Sequence, residues 1–330
     1  MTRRALITGV TGQDGSYLAE YLLTEGYEVW GMLRGQDAPS KPWIRPLLGD
    51  VRFIQGDLLD QKSLITAVDQ IQPDEVYNLG AISYVPLSWK QAEITTEVTA
   101  LGVLRMLEAI RTVSQVSKNY NSTGQIKFYQ ASSSEMFGKA HETPQNESTR
   151  FHPRSPYAVA KTYGHYLTQN YRESFGMPCV SGILFNHESP RRGPEFVTRK
   201  ISLGVARIKL GLETHLRLGN LEARRDWGFA GDYVRAMHLM LQQKVPKDYV
   251  IGTGRTYCVR EAVDIAFTAA SLDWRKHVIF DPELARPADV DLLRADASLA
   301  REELGWKPKL GFEELMGMMV ESDLRLVARG

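Results

Sequence analysis

The sequence has few cysteines and no long apolar segment. Cys179 and Cys258 are its only cysteines, so no disulfide framework is expected and a reducing compartment, the cytoplasm, is favoured. No apolar run reaches the roughly 18 residues that a membrane-spanning helix needs, so we expect no membrane partner. Gly9 and Asp14 interrupt the first apolar run, which therefore lacks the core of a signal peptide.

An excess of charge and metal-binding spacings are also missing. The 330 residues carry 40 Lys and Arg against 39 Asp and Glu, and the formal net charge is +1. This balance gives no reason to expect a nucleic-acid partner. Neither His-Glu-x-x-His nor Cys-x-x-Cys occurs, so the sequence predicts no metal site.

What is present begins with a strand, a glycine-rich turn and a helix. The apolar residues 5–7 lead into Gly9-x-x-Gly12-x-x-Gly15, and a helical apolar pattern follows. Gly9 and Gly12 would allow a tight turn close to a pyrophosphate, and Gly15 would allow close packing of the helix against the strand. Glycines also occur in ordinary turns, but the strand–turn–helix context favours a dinucleotide site.

The end of the second predicted strand bears on which dinucleotide is bound. The strand over residues 28–33 ends at Arg34, and an arginine here accommodates the 2′-phosphate of NADP. Asp37 follows closely, and an acidic residue in this region would hold the ribose hydroxyls of NAD instead. The sequence therefore favours NADP and keeps NAD open.

Two further strand ends carry residues suited to the same ligand. Asp57 follows the strand 51–55, where it can bond an adenine amino group or cap the next helix, and both readings stay open. Gly80 and Ala81 follow the strand 75–79 and are small enough to let a cofactor approach the sheet. Ligands of parallel α/β sheets lie at the carboxyl ends of strands, so these positions support one common site.

Strands and helices alternate along the first half of the chain. Helices are predicted over 92–110 and 155–175, and the polar segment 112–125 is typical of a surface loop. This alternation predicts an α/β fold with a Rossmann-type, doubly wound parallel sheet and a smaller, interleaved mixed α/β substrate lobe. We expect residues 1–180 to form the nucleotide-binding domain, with later segments returning to it, and residues 181–330 to form most of the substrate lobe.

A tyrosine and a lysine share one face at the start of the long helix. Ser155 is a good N-cap and Pro156 suits the first helical position. Tyr157 and Lys161 are four residues apart, so we expect the ammonium to favour phenolate and lower the phenol's pKa towards neutrality. The alternative is a surface tyrosine beside a solvated lysine.

Two more strand ends carry dense polar clusters. Ser133 and Glu135 follow the predicted strand 127–131, and a carboxylate placed there is not explained by turn chemistry alone. Residues 186–193, Asn-His-Glu-Ser-Pro-Arg-Arg-Gly, follow the strand 180–185. Two adjacent arginines suit a phosphate group, because guanidinium forks match phosphate oxygens.

Together these motifs resemble a known family. The glycine turn, Ser133 and Tyr157-x-x-x-Lys161 resemble the extended short-chain dehydrogenase/reductases that modify nucleotide sugars. Residues 9–20, 128–135 and 184–193 resemble the GDP-mannose 4,6-dehydratase family within that group, and the last stretch is the most specific. The resemblance covers nearly the whole chain. This sequence departs from the family after Arg34, where the family's usual Arg-Arg-Ser-Ser run is absent.

The resemblance implies a role for each matching residue. Tyr157 is the expected catalytic base, Lys161 its support at the nicotinamide ribose, and Glu135 the acid/base, while Ser133 replaces the threonine common in the family. Besides Tyr157 and Lys161, the implied cofactor contacts are Gly9, Thr11, Gly12, Gln13, Asp14, Gly15, Arg34, Asp57, Leu58, Leu79, Gly80, Ala81, His187 and Arg192. The implied substrate contacts are Ser83, Glu135, Asn186, Lys200, Arg217, Arg225 and Arg286.

The resemblance also implies an activity and an assembly. It implies conversion of GDP-mannose to GDP-4-keto-6-deoxymannose with tightly bound NADP, in a homodimer or homotetramer paired through helices near 92–110 and 155–175. Two alternatives remain at this point. One is a related nucleotide-sugar reductase or epimerase, against which Glu135 and residues 186–193 argue. The other is a non-catalytic NADP-binding module, which would have no need of Ser133, Tyr157 and Lys161.

Overall fold

A seven-stranded sheet, parallel throughout, organises the molecule. The computed structural model describes residues 2–35, 49–116, 125–284 and 292–329. The strands are β1 (Arg4–Thr8), β2 (Glu28–Leu33), β3 (Arg52–Gln55), β4 (Glu75–Asn78), β5 (Lys127–Ser133), β6 (Cys179–Leu184) and β11 (Tyr249–Ile251). Their spatial order is β11-β6-β5-β4-β1-β2-β3, which is a doubly wound topology with its reversal beside β1. The predicted Rossmann-type fold is confirmed.

Helices cover both faces of this sheet and bury separate apolar layers. On one face lie α1 (Gln13–Thr24), α8 (Ala230–Leu241) and α10 (Ser298–Leu304), whose buried side chains include Leu18 and Met237. The other face is covered by α2 (Gln61–Ile71), α5 (Gly102–Val116) and α6 (Pro156–Phe175), with Leu64, Leu107 and Tyr171 in the core. Since α8, α10 and β11 come late in the chain, the second half contributes to both parts of the molecule.

A third apolar core belongs to a smaller lobe. The helices α7 (Val197–Lys209), α9 (Val259–Ala269) and α11 (Phe312–Val327) surround it, and Trp227 stacks on Phe312 with ring centres 5.1 Å apart. Within the described ranges of the chain, three strand pairs complete the lobe. They are β7 (Asn186–Glu188) with β10 (Trp227–Phe229), β8 (Leu216–Leu218) with β13 (Val278–Phe280), and β9 (Arg224–Arg225) with β12 (Tyr257–Cys258).

The helix predicted over residues 92–110 differs in two ways. It is divided into α4 (Ala92–Thr96), a wider π turn (Glu97–Leu101) and α5, and it follows the short helix α3 (Val85–Lys90). It also continues to Val116, so the prediction of a surface loop from residue 112 is wrong for its first residues. The apolar spacing explains this, because Val113 lies three residues after Ile110 and both are buried.

Among the described residues, no helix has the length and apolarity needed to cross a membrane. The same part of the chain contains no group of three potential metal-ligating side chains. Asp37 and Arg286, both named from the sequence, lie outside the described residues.

Candidate active site

The glycine turn between β1 and α1 closes against its neighbours without room for side chains. Gly9 has φ +68°, and a Cβ there would lie 3.0 Å from the Gly80 backbone. A Cβ on Gly15 would overlap the Gly9 carbonyl oxygen and lie 2.6 Å from Val10 Cα. Gly12 is the N-cap of α1 and offers no side-chain cap, so nothing from the cap residue shields the first amides of the helix. This is the geometry that a phosphate needs at a helix N-terminus.

A cavity of about 500 Å³ opens at the carboxyl ends of the central strands. Its volume lies within the usual range for cofactor sites. The structure brings the four residues named as catalytic into its wall: Ser133, Glu135, Tyr157 and Lys161. The same wall contains Gly9, Thr11, Gly12, Gln13, Asp14, Gly15, Arg34, Asp57, Leu58, Leu79, Gly80, Ala81, Ser83, Asn186, His187 and Arg192.

The start of α6 places the tyrosine and the lysine as the sequence predicts. Ser155 Oγ accepts the backbone N–H of Ala158 at 3.1 Å, and Pro156 is the first helical residue, so both predictions are confirmed. Lys161 Nζ donates to the Ala131 carbonyl at 2.7 Å and lies 5.8 Å from the centre of the Tyr157 ring. The lysine is therefore anchored to the end of β5, alongside the tyrosine.

The prediction that Lys161 lowers the pKa of Tyr157 towards neutrality is wrong for the protein alone. Burial raises the pKa of Tyr157 to about 12, although a hydrogen bond with the Ser133 hydroxyl lowers it. Burial also lowers the pKa of the Lys161 ammonium to about 8, while Asp14 raises it. The reason is that both groups are removed from water together, and desolvation disfavours both charged forms.

His187 is held as a cation between the glycine turn and β7. Its Nε2 lies 2.8 Å from Asp14 Oδ2, and its Nδ1 donates to the Phe185 carbonyl at 2.7 Å. Both partners are acceptors, so each ring nitrogen carries a proton. Burial alone would lower the pKa of His187, but Asp14 raises it overall. Burial opposes ionisation of Asp14 as well, yet His187 brings the pKa of that carboxyl down to about 2.

The two adjacent arginines face different parts of the molecule. Arg191 bonds both carboxylate oxygens of Glu20 at 2.8 and 2.9 Å, and its guanidinium carbon lies 4.0 Å from the centre of the Tyr17 ring. Arg192 instead lines the large cavity, where its Nε forms an ion pair with Glu188 Oε2 at 3.1 Å. Only Arg192 is therefore placed for a ligand, whereas Arg191 joins the 186–193 segment to α1.

A second cavity of about 200 Å³ adjoins the first. The residues common to both walls are Tyr84, Glu135, Asn186 and Phe196. Lys200 and Arg225 line the second cavity as well, so two cations named from the sequence share this cavity with Glu135. Within the described residues, the buried Oδ1 atom of Asn186 has no hydrogen-bond partner. A buried acceptor without a partner in a cavity wall can accept a hydrogen bond from a donor group of a ligand.

Some sequence-based expectations are not met by the geometry, and some residues were missed. Arg217 lies on β8 with its side chain 69% exposed and pairs with Asp281, and it lines neither cavity. Asp57 accepts the Leu59 amide at 2.9 Å, and the N-cap of α2 is Asp60 instead. Tyr84 and Phe196 were not named, although their rings meet edge to face at 5.6 Å. Their position directly after strand-end motifs was the available signal.

Comparison with known proteins shows which family this chain is similar to. A family model described as GDP-mannose 4,6 dehydratase matches residues 6–319. A relative from Arabidopsis thaliana, GDP-mannose 4,6 dehydratase 1, is 51% identical over 333 residues, covering 98% of this chain and 91% of the relative. GDP-mannose 4,6-dehydratase from Vibrio cholerae is 47% identical over 354 residues, covering 97% and 93%.

A solved structure agrees at the level of the fold. UDP-glucose 4-epimerase from Thermus thermophilus, in complex with NAD, superposes with a TM-score of 0.83 at 27% identity, covering 97% of this chain and 98% of that one. The parallel sheet and the glycine turn thus define an extended short-chain dehydrogenase/reductase fold. Within that class, the chain belongs to the GDP-mannose 4,6-dehydratase family.

Proposed function

We propose that this protein is an enzyme, a carbon–oxygen lyase that converts GDP-mannose to GDP-4-keto-6-deoxymannose. The observation that carries the proposal is the position of Glu135. It lies in the wall shared by both cavities, and Ser133, Tyr157 and Lys161 lie in the larger one. A carboxylate between a nucleotide site and a second, cation-lined cavity suits an elimination on a sugar held beside the cofactor. The names of the relatives support the same substrate.

The cofactor in this proposal is NADP, with NAD as the alternative. The glycine turn fits it, because a Cβ at Gly9 would meet the Gly80 backbone and a Cβ at Gly15 would overlap the Gly9 carbonyl oxygen. Only glycines therefore allow the tight turn that presents the start of α1 to a pyrophosphate. Arg34 lines the same cavity and is the described residue suited to a 2′-phosphate. In this arrangement residues 1–180 and the later strands of the sheet hold the dinucleotide, and residues 181–330 supply most of the GDP-sugar lobe.

The proposed substrate contacts follow from the second cavity. Lys200 and Arg225 would bind the diphosphate, and the Asn186 carbonyl oxygen would accept a hydrogen bond from the substrate. Binding the diphosphate away from the reacting carbons supplies orientation, because remote binding energy fixes the sugar against the catalytic groups. Arg217 has no such support, because its side chain is exposed on β8 and pairs with Asp281.

The chemistry requires proton transfers at three positions of the sugar. Bound NADP supplies the acceptor for hydride from carbon 4 and its later return to carbon 6. Tyr157 takes the proton of the 4-hydroxyl, with Ser133 hydrogen-bonded to the phenol and favouring its ionised form. The resulting ketone acidifies the hydrogen on carbon 5, which Glu135 removes. Glu135 then donates this proton to the leaving 6-hydroxyl, and water departs. Carbon 5 regains one proton when carbon 6 receives hydride, which balances the proton taken from the 4-hydroxyl, so the reaction has no net redox change.

We also propose a homodimer or homotetramer in the cytoplasm. Val159, Tyr163 and Tyr166 lie at helical spacing along α6 and are exposed, and Trp89 of the neighbouring α3 is exposed as well. Apolar side chains on one helix face suit pairing with a second copy. Both cysteines are buried free thiols, which fits a reducing compartment.

The test is a coupled product assay. The protein is incubated with GDP-mannose and a catalytic amount of NADP⁺, and the products are analysed by mass spectrometry while absorbance reports reduced nicotinamide. We expect a 4-keto product that has lost water, with no net NADPH. An epimer of unchanged mass would instead identify an epimerase. A parallel reaction supplied with NADPH tests the reductase, which would consume the NADPH. Parallel reactions with UDP- and dTDP-sugars test the choice of nucleotide.

A further inference from the structure

The catalytic face of α6 continues inwards as a row of polar side chains. Tyr157, Lys161, His165 and Gln169 follow one another at four-residue intervals, so they lie along one face of the helix. His165 is only 2% exposed. A buried histidine without a partner would be costly, so its contacts require an explanation.

His165 lies in a continuous chain of hydrogen bonds. Its Nδ1 is 3.1 Å from Ser132 Oγ, and its Nε2 is 3.2 Å from the Gln169 amide nitrogen. That nitrogen also donates to Asp248 Oδ2 at 2.9 Å. Asp248 is paired in turn with Arg172, whose two Nη atoms lie 2.8 and 2.9 Å from the carboxylate oxygens. The chain thus runs from a buried ion pair to the end of β5.

These partners assign the position of the proton on the imidazole. The Gln169 group that faces Asp248 must be its NH₂, because a carboxylate only accepts. The same NH₂ donates its second hydrogen to His165 Nε2, so this nitrogen is the acceptor of a neutral ring. The proton therefore resides on Nδ1 and is donated to Ser132 Oγ.

The surroundings of His165 favour the neutral form. Burial lowers the pKa of His165, Asp248 raises it, and Arg172 lowers it. The other side is apolar, where the ring packs edge to face on Phe151 with centres 5.1 Å apart. Gln169 separates the imidazole from the ion pair, so the tautomer is set by a neutral amide.

The contact with Ser132 has a consequence for the catalytic groups. Lys161 bonds the Ala131 carbonyl and His165 bonds the Ser132 side chain, so two successive turns of α6 are tied to two successive residues of β5. Ser133 is the next residue of that strand, and its Oγ accepts the Glu135 amide at 3.2 Å. The register between α6 and β5 therefore sets the distance between Tyr157 and the pair Ser133–Glu135.

We propose that His165 is a positioning residue for the reaction, acting through Ser132 to fix Ser133 and Glu135 against Tyr157. The inference rests on the proposed function for its kinetic consequence, but the tautomer assignment does not. Small displacements of catalytic groups cost roughly tenfold to a hundredfold in rate, so this support is expected to affect turnover more than binding.

The first experiment reads the tautomer by ¹H–¹⁵N NMR of histidine-labelled protein between pH 5 and 8. The His165 signals are assigned with a His165→Phe variant or, if that variant does not fold, with His165→Gln. We expect the neutral ring to carry its proton on Nδ1, with a pKa below the usual 6.5. A proton on Nε2, or a titration near pH 6.5, would overturn the proposal.

The second experiment compares turnover of GDP-mannose by His165→Phe, Ser132→Ala and the double variant. We expect kcat to fall roughly tenfold to a hundredfold in each single variant with KM changed less than about twofold. The double variant should be no slower than the slower single one, because both changes remove the same contact. Independent, multiplicative losses, or an unchanged kcat per folded molecule, would contradict it.

If His165→Phe does not fold, Ser132→Ala serves as the milder variant. The matched control is His238→Phe. His238 is also buried, but it bonds Tyr21 and Tyr27 on another face of the sheet. The His238→Phe substitution should lower the melting temperature without changing kcat. This result separates a loss of stability from a loss of positioning. Wild-type protein that leaves GDP-mannose unchanged would overturn the proposed function alone, because the tautomer result does not depend on turnover.

Discussion

Tyr157 shows how burial decides a pKa that spacing alone cannot. The sequence correctly predicts Tyr157 and Lys161 on one helix face, and the structure confirms the cap that starts this helix. The predicted direction of the pKa shift is wrong, because the sequence does not reveal that both groups are buried and that Lys161 bonds the Ala131 carbonyl. Sequence patterns report neighbours along a helix, whereas desolvation depends on the whole fold.

At this scale we predict the effect of Ser133→Ala on the pH profile of the first oxidation. The Ser133 hydrogen bond lowers the pKa of Tyr157, so its loss raises that pKa further. The rate depends on the phenolate form, so the variant should be slower at a given pH and the limb on which the rate rises with pH should move to higher pH. Stopped-flow absorbance of reduced nicotinamide from pH 6 to 10 measures it. Ser133→Thr keeps a hydroxyl and should leave the limb in place; a shift of the Ala variant to lower pH would contradict the assignment.

A second prediction at the residue scale concerns Gly15→Ala. The new Cβ would overlap the Gly9 carbonyl oxygen, so the glycine turn must shift and cofactor affinity should fall at least about tenfold. We expect an unfolding free energy lower by about 1–3 kcal/mol. Isothermal titration with NADP⁺ and thermal unfolding measure the two effects.

Gly317→Ala is the control for that substitution. Gly317 lies within α11 with open space around its added Cβ. Alanine there should stabilise the protein by roughly 0.5–1 kcal/mol, because it has the better helix propensity. Cofactor affinity should not change. Equal NADP⁺ affinity of the Gly15 variant and wild type would show that the turn does not hold the pyrophosphate.

Among the elements, the early ones are predictable and the late ones are less so. The alternation of β1, α1 and β2 predicts a parallel sheet because β1 is a short buried run followed by an amphipathic helix and then by a second apolar strand. The separation of α4 and α5 by a π turn has no such signal, since Glu97–Leu101 continues the helical apolar pattern. The place of β11 next to β6 depends on pairing across about 65 residues of sequence, which local periodicity does not encode.

The Asp14–His187 pair gives a prediction about how two elements are joined. His187 on β7 has a raised pKa, so its stabilisation is full below about pH 6.5 and is lost as pH rises through the folded-state pKa. Asp14 on α1 has a pKa of about 2, compared with the ordinary value of 3.8. Its contribution to stability is therefore fully present above pH 3.8 and is lost as pH falls towards 2. The pair should therefore stabilise the cofactor-free protein most between about pH 4 and 6.5.

Asp14→Asn tests this contribution. We expect the free energy of unfolding to fall by roughly 3 kcal/mol at pH 5.5, the low end for a buried ion pair, because the Asp14 side chain is still 24% exposed. The difference from wild type should shrink as pH rises above 6.5 and passes through the raised pKa of His187, because the imidazole then loses its proton. Urea unfolding at a series of pH values measures it. A difference that grows with rising pH would contradict the pairing.

At the scale of the whole molecule, we expect the exposed side chains of α6 to form the contact between copies of the chain. Tyr157 and Lys161 face inwards, while Val159 and Tyr166 on the opposite side are 55% and 52% exposed. We predict that Val159→Glu with Tyr166→Glu halves the mass in solution, because two buried like charges would oppose pairing of this face. Light scattering after size-exclusion chromatography measures the mass.

Leu212→Glu is the control, since Leu212 is 65% exposed just beyond the end of α7 in the smaller lobe. If the control alone reduced the mass, the interface would lie on the smaller lobe and the proposed pairing through α6 would be wrong.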